Sequence, residues 1–143
     1  MITRRASAVW EGNLKDGKGT MSLGSGAFEG AYSFASRFES GPGTNPDELI
    51  GAAHAGCFSM ALSARLTQAG YAPQSISTDA AVYLESSGGG FEITRIDLKT
   101  VAMVPDIDEA TFLEHANIAK EGCPVSKALQ GVEISLEAEL TTA

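Results

Sequence analysis

Apolar and polar side chains alternate in three short runs along the first third of the chain. The runs cover residues 6–12, 20–23 and 31–39, and a glycine-rich turn sequence separates the first two. Alternation of this kind is typical of strands with one buried face, so we predict three strands. In the third run the aromatic side chains share one register, and Arg37 lies in the other.

A long helix is predicted soon after the third run. Asn45 is a favourable N-cap residue, Pro46 suits the first helical position, and Glu48 stands where a capping box has its acidic residue. The alanine-rich sequence then continues for several turns, and Gly70 is expected to end the helix.

Residues 49–64 of this helix carry no charged side chain. The run is shorter than the roughly 20 apolar residues that a membrane-spanning helix requires. We therefore expect a helix that is buried on nearly all sides in a protein core. The N-terminal residues are basic but lack the apolar segment of a signal peptide, which argues against secretion and favours the cytoplasm.

The second half of the chain alternates in two longer runs, 75–85 and 91–104, which three glycines join. The alternation of the second run breaks once, near Thr94 and Arg95, where we expect a β-bulge. The two runs predict a long antiparallel hairpin.

Two helices and a strand complete the predicted order. Asp108 can cap a helix that runs to about Glu121, a short helical turn opens at Cys123, and the last strand lies within 132–140. Long hairpins beside a few helices indicate an α+β fold with a mainly antiparallel sheet. We expect a single domain over residues 1–143.

The composition narrows the classes of function. Hydrophobic residues make up 43% and charged residues 20% of the 143 residues, as in ordinary globular proteins. The net charge of −8 disfavours nucleic-acid binding, because phosphates repel an acidic surface. Two cysteines in a reducing cytoplasm argue against a structural disulfide but leave a transient, catalytic one open.

The two cysteines are the main candidates for chemistry. Cys57 lies in the middle of the alanine-rich helix, where a lone cysteine is usually a small buried apolar residue. Cys123 lies between Gly122 and Pro124, on a segment where its side chain can swing out. A rigid thiol and a mobile thiol are what an attacking and a resolving cysteine require.

The attacking thiol must be ionised, and Cys57 lies too far along its helix for the macrodipole to ionise it. Arg37 is the candidate cation, and Glu48 is a candidate carboxylate partner for its guanidinium. On a straight helix Glu48 and Cys57 point to opposite sides. Glu48 would therefore act through the loop at the helix start or from a second copy of the chain. The simpler alternatives are a solvated Arg37 and a Glu48 that only caps the helix.

His54 opens two further alternatives. It shares a helix face with Cys57, as in a thiol hydrolase, but such enzymes usually place the nucleophile at a helix start, so a structural, hydrogen-bonded histidine competes. His54, Cys57, His115 and Cys123 also match a zinc set in number, although their spacing is not that of a zinc finger. A sensor whose thiols oxidise without turning over is another possible class.

Two long segments around the cysteines are distinctive. Residues 37–62 include GTNPDELIGAAHAGCFSMAL, and residues 119–126 read AKEGCPVS. The opening WEG at 10–12 and the GKG at 17–19 are further marks. Together these sequences resemble the OsmC branch of the OsmC/Ohr hydroperoxide reductases, and the resemblance covers essentially the whole chain.

This resemblance implies mainly antiparallel sheets wrapped around central helices in an intertwined homodimer. It implies that Cys57 is the peroxidatic thiol, Cys123 the resolving thiol, Arg37 the activating cation and Glu48 its carboxylate partner. The implied activity is the reduction of organic hydroperoxides, and more weakly of hydrogen peroxide, in oxidative and osmotic stress defence. The implied reductant is a dithiol such as a lipoyl group, with no metal or organic cofactor. Phe38, Phe58 and Met60 are expected to line the substrate pocket.

Overall fold

The computed structural model describes residues 1–142 and divides the chain into two compact units. The first unit is Met1–Leu49, and the second begins at Ile50. The described residues form two three-stranded sheets, one in each unit. The single domain expected from the sequence stays a prediction.

The first unit is built on an antiparallel sheet of three strands, β1 (Ala6–Glu11), β2 (Lys18–Leu23) and β3 (Glu29–Tyr32). The first two predicted strands are confirmed. In the turn between them the Asn13 side chain accepts the N–H of Asp16 at 2.8 Å, and the Asn13 carbonyl accepts the N–H of Gly17 at 2.9 Å. A Cβ on Gly17 would lie 2.3 Å from that carbonyl oxygen, which explains the glycine.

The third predicted strand is wrong beyond Tyr32, because a short helix, α1 (Phe34–Phe38), begins there. Ser33 and Ser36 cap this helix reciprocally. The Ser36 hydroxyl accepts the Ser33 N–H at 2.8 Å, and the Ser33 hydroxyl accepts the Ser36 N–H at 3.1 Å. Two backbone donors are thereby satisfied in a helical turn.

The aromatic alternation in this segment fits a helix as well as a strand. Phe34 and Phe38 are four residues apart, and their rings meet on one face of α1 with centroids 5.0 Å apart. Arg37 therefore lies on a helix, and its predicted place on the non-aromatic face of a strand is wrong.

The long helix, α2 (Pro46–Gln68), begins as the sequence predicts and ends within a residue of the expected place. The Asn45 side chain accepts the N–H of Glu48 at 2.8 Å. Gly70 follows the helix with φ 94°, a left-handed conformation that glycine adopts readily.

One face of α2 is buried in the second unit, and the opposite face is exposed. The fully buried side chains are those of His54, Phe58, Leu62 and Leu66. The opposite face, here called the exposed stripe of α2, consists of small or apolar residues: Ala52, Ala53, Gly56, Met60 and Ala64.

The expectation that α2 is buried on nearly all sides is therefore wrong for this chain. Only 28% of the most apolar 18-residue stretch of α2 is buried. The reason is that several small residues of the charge-free run lie on the exposed stripe and not in the core. By length and composition alone α2 passes the test for a membrane-spanning helix. A helix that packs in the core of a soluble protein passes the same test, so this is weak evidence for a membrane.

The sheet of the second unit contains β4 (Ser75–Ser87), β5 (Gly90–Met103) and β6 (Glu133–Thr141). β4 and β5 form the predicted antiparallel hairpin. The expected bulge is confirmed at Thr94, because Tyr83 pairs with Arg95 whereas Leu84 pairs with Ile93. β6 pairs with β5 in parallel, which is possible because two helices form the crossover between them.

These two helices are α3 (Glu109–Gly122) and α4 (Pro124–Ala128), as the sequence predicts. Asp108 caps α3 by accepting the N–H of Thr111 at 2.7 Å. Cys123 is the single residue between the helices, and its N–H donates to the Ala119 carbonyl at 3.0 Å. The core of the second unit consists of the buried face of α2 with apolar side chains of β5 and α3, including Ile96, Leu98, Phe112 and Ala116.

Candidate active site

The two cysteines are neighbours in the second unit. Cys57 comes from the middle of α2 and Cys123 from the junction of α3 and α4, and Cys123 is close enough to raise the pKa of the Cys57 thiol. Both are free thiols, Cys57 partly exposed and Cys123 fully buried. An accessible thiol and a protected thiol are thus brought together from residues that lie far apart in the sequence.

The sequence suggested that the Cys123 side chain can swing out from a loop. The structure instead holds this side chain in place. Cys123 is the N-cap residue of α4, and its sulfur accepts the N–H of Ser126 at 3.3 Å. Cys123 is 0% exposed. Pro124 opens α4 directly after the cysteine and so continues the helical structure. Cys123 nevertheless lies in the neighbourhood of Cys57, since it is among the groups that raise the pKa of the Cys57 thiol.

The surroundings of Cys57 in this unit favour its protonated form. Burial raises the pKa of the Cys57 thiol, and the neighbouring Cys123 raises it further. A hydrogen bond from the Val125 N–H acts in the opposite direction without reversing the shift. A positive charge near Cys57 would oppose this shift, because it favours the thiolate.

Behind Cys123 lies a buried polar pair that the sequence reasoning only half anticipated. His54 Nε2 is 2.7 Å from the hydroxyl oxygen of Ser126, and the Cys123 thiol donates to that same oxygen at 3.2 Å. The expectation of a hydrogen-bonded His54 is confirmed. The sequence did not reveal its partner, Ser126. The one sequence signal for Ser126 is that it follows the helix-capping Cys123 by three residues, which is a weak signal.

Arg37 and Glu48 belong to the first unit, and within the chain they do not form the expected pair. Arg37 Nε lies 3.1 Å from Asp47 Oδ2, and its terminal nitrogen lies 3.2 Å from Asp47 Oδ1. Glu48 accepts the hydroxyl of Thr44 at 2.7 Å. Sequence reasoning overlooked Asp47, whose shorter side chain faces the guanidinium in the two-pronged geometry that was expected of Glu48.

The same arginine borders an aromatic cavity of the first unit. The cavity has a volume of about 210 Å³ and is lined mainly by apolar groups, those of Trp10, Leu14, Tyr32, Phe34 and Phe38. Of the residues expected to line a substrate pocket, Phe38 lines this one. Phe58 instead fills the core of the second unit, and Met60 is 76% exposed on α2.

Across residues 1–142 no group of three or more His, Cys, Asp or Glu is arranged to hold a metal ion. The zinc set considered from the sequence is therefore unsupported. The arrangement that the structure offers suits a thiol-dependent redox protein, because a partly exposed cysteine has a buried cysteine as its neighbour.

Comparison with known proteins identifies the family. Residues 39–137 match the family described as OsmC-like protein. The chain is 51% identical over 140 residues to peroxiredoxin OsmC of Escherichia coli strain K12, with 97% of both chains covered. It is 35% identical over 97 residues to the organic hydroperoxide resistance protein OhrB of Bacillus subtilis strain 168, covering 66% of this chain and 69% of OhrB.

A solved structure agrees at the level of the fold. The crystal structure of an OsmC-like protein from Mycoplasma pneumoniae has a TM-score of 0.77 at 16% identity, with 98% of both chains covered. The chain belongs to the OsmC-like protein family. The resemblance stated from the two cysteine motifs is confirmed, and so is the α+β, OsmC-like fold class.

Proposed function

We propose that this chain reduces organic hydroperoxides, and hydrogen peroxide more weakly, with Cys57 and Cys123 as its reaction centre. Its family and its 51% identity to peroxiredoxin OsmC, over 97% of both chains, give the class of the enzyme, a hydroperoxide-reducing peroxidase. The observation that carries the mechanism is the position of Cys57 beside Cys123, which the structure brings together from α2 and from the junction of α3 and α4. An attacking thiol that has a second thiol as its neighbour has an internal partner with which to form a disulfide.

The reaction begins at Cys57, the more accessible thiol. Its thiolate attacks the distal oxygen of the hydroperoxide, the O–O bond breaks, an alcohol leaves, and Cys57 becomes a sulfenic acid. Cys123 then attacks the oxidised sulfur, water leaves, and a disulfide forms. An external dithiol then reduces this disulfide to the two thiols, and we propose a lipoyl-type group as that dithiol. Neither a metal nor an organic cofactor takes part in these steps.

Arg37 is proposed as the cation that ionises Cys57 and orients the peroxide, with Glu48 as a carboxylate partner. The support for this role is the raised pKa of Cys57, which a cation would lower by favouring the thiolate. The ion pair with Asp47 holds the guanidinium at the first turn of α2, one residue before Glu48. Glu48 acts on the arginine of its own chain or of a second copy.

The preference for organic hydroperoxides is supported by the aromatic cavity beside Arg37. Its walls, from Trp10, Tyr32, Phe34 and Phe38, suit an apolar tail, and Arg37 contributes the charged group. A hydroperoxide has this combination of an apolar body and a polar end. Hydrogen peroxide has no tail with which to use such a cavity.

We also propose that the enzyme is an intertwined homodimer that acts in the cytoplasm during oxidative and osmotic stress. The support for the dimer is the exposed stripe of α2, where small and apolar side chains face away from the core of their own chain. Such a surface is suited to packing against a second protein surface.

The experiment that tests this function is consumption of cumene hydroperoxide with excess dithiol. We expect many turnovers by the wild type and none by Cys57→Ser. Cys123→Ser should consume peroxide but lose activity quickly or depend strongly on the reductant, because its sulfenic acid has no internal partner. Consumption by the wild type of no more than one peroxide per thiol pair would instead identify a sensor.

A further inference from the structure

A buried serine and histidine lie behind the resolving thiol and have no part in the reaction described so far. The Cys123 thiol donates to Ser126 Oγ at 3.2 Å, and Ser126 Oγ lies 2.7 Å from His54 Nε2. We propose that Ser126 and His54 form a proton relay that deprotonates Cys123 as it resolves the Cys57 sulfenic acid. The proposal rests on the function proposed above and adds a step to it.

The direction of the relay follows from the donors and acceptors that each group has. A serine hydroxyl has one proton, so Ser126 Oγ, which accepts from Cys123, donates that proton to His54 Nε2. His54 Nε2 is then the unprotonated ring nitrogen, and Nδ1 carries the hydrogen. Burial lowers the pKa of His54, which keeps the ring neutral at pH 7 and Nε2 available as an acceptor.

The burial of these groups explains why a relay is needed. Cys123 and His54 are 0% exposed and Ser126 is 5% exposed. The thiol is reactive only as a thiolate, and its proton must leave a site that bulk solvent does not reach directly. The Ser126 N–H, which donates to Cys123 Sγ at 3.3 Å, stabilises the negative charge that develops on the sulfur.

The step balances without any further reactant. Cys123 Sγ bonds to Cys57 Sγ while the S–O bond of the sulfenic acid breaks and hydroxide leaves. The Cys123 proton moves to Ser126 Oγ as the serine proton moves to His54 Nε2. The hydroxide leaves from the partly exposed Cys57 and takes a proton from solvent to become water. His54 keeps its proton until the external dithiol reduces the disulfide, and the proton then returns through Ser126 to the Cys123 sulfur. The Cys123 sulfur is oxidised and the Cys57 sulfur is reduced, both to the level of a disulfide. Ser126 contacts a reacting atom, and His54 is a positioning residue that acts through it.

A single-turnover experiment separates this step from the attack on peroxide. The reduced full-length enzyme is mixed with one equivalent of cumene hydroperoxide and quenched at intervals with N-ethylmaleimide. The loss of peroxide gives the first rate constant, that of the attack by Cys57. Mass spectrometry gives the second, that of disulfide formation, from the fraction of protein that carries no N-ethylmaleimide adduct. In Ser126→Ala and His54→Gln, we expect the ratio of the second rate constant to the first to fall on the order of 10²-fold, typical of a lost acid–base group.

Two variants control this measurement. Ser126→Thr keeps a hydroxyl at the same position and should restore the ratio to within about threefold of wild type, since the relay group itself is kept. His115→Gln changes the other histidine of the chain, which lies outside the Cys123–Ser126–His54 contacts, and should leave the ratio unchanged. An unchanged ratio in both Ser126→Ala and His54→Gln overturns the relay. So does an equal decline of both rate constants, which would indicate a packing role.

Nitrogen-15 NMR tests the relay independently of the activity. In the reduced wild-type enzyme we expect His54 as the neutral tautomer with its hydrogen on Nδ1. A hydrogen on Nε2 would reverse the contact with Ser126 and overturn the proposal. If the wild type consumes no peroxide, the proposed function fails, and the tautomer still decides whether the relay contacts are correct.

Discussion

Arg37 is the residue whose charge the proposed reaction depends on most. Burial raises the pKa of Cys57. In the proposed reaction the Arg37 guanidinium lowers it, because a cation favours the thiolate. Arg37→Gln should therefore raise this pKa and move the midpoint of Cys57 alkylation to higher pH. We expect kcat/KM for cumene hydroperoxide to fall on the order of 10²-fold. The measurement is the rate of iodoacetamide alkylation against pH, made in the Cys123→Ser background so that one thiol reacts.

Arg95→Gln is the matched control for Arg37. Arg95 also makes a two-pronged ion pair, with Asp97 at 2.6 and 2.9 Å, but on the exposed side of β5. Removing it should change neither the alkylation midpoint nor the activity. A midpoint in Arg37→Gln equal to that of wild type would show that another group activates Cys57.

At this scale the sequence indicates candidate residues for the chemistry but not all of their contacts. Cys57 and Cys123 were recognisable because thiols are few and their flanking motifs are long. Ser126 was not, since its bond to His54 joins positions 72 residues apart and a serine in a first helical turn is ordinary. Asp47 and Glu48 are adjacent acidic residues, and only the geometry of the first helical turn decides which of them faces Arg37.

At the scale of the element, β5 contains two threonines with opposite energetic roles. Thr94 forms the bulge, and its hydroxyl oxygen is buried without a hydrogen-bond partner in the described residues. The Thr100 hydroxyl, also buried, donates to the Ser77 carbonyl at 3.2 Å and lies 2.9 Å from the Thr78 hydroxyl.

Replacement of each threonine by valine keeps the branched shape and removes the hydroxyl. We expect Thr94→Val to raise the free energy of unfolding by about 1 kcal/mol, because an unpaired polar group leaves the interior. Thr100→Val should lower it by about 1–2 kcal/mol, because Thr78 and Ser77 lose a partner. Urea denaturation followed by circular dichroism measures both. A loss of stability in Thr94→Val would indicate that its hydroxyl is satisfied.

Elements with their own local signals were predicted correctly, and elements with ambiguous periodicity were not. The caps at Asn45 and Asp108 and the broken alternation near Thr94 are local, and all three appear in the structure. Residues 31–39 have aromatic spacings of two and four, which satisfy both periods. The reciprocal capping by Ser33 and Ser36 favours the helix in this segment.

At the scale of the whole molecule, the exposed stripe of α2 connects the fold to the proposed assembly. A helix that buries His54, Phe58, Leu62 and Leu66 on one side presents Met60 at 76% exposure on the other, among alanines and Gly56. Small side chains let another surface approach closely, and methionine adapts to its shape. A second copy of the chain is the occupant we propose, because it also supplies a second Glu48, as one arrangement of the active site requires.

Met60→Lys tests this interface directly. A charge in the middle of the stripe should be costly to bury, so we expect the mass in solution to fall from two chains to one chain of 14.8 kDa. Size-exclusion chromatography with light scattering measures it. Ile118→Lys, which places the same charge at a 40% exposed apolar position of α3, should leave the mass unchanged. A monomeric wild type would contradict the dimer and require Glu48 to act within its own chain. A dimer in which Met60→Lys has no effect would place the interface elsewhere.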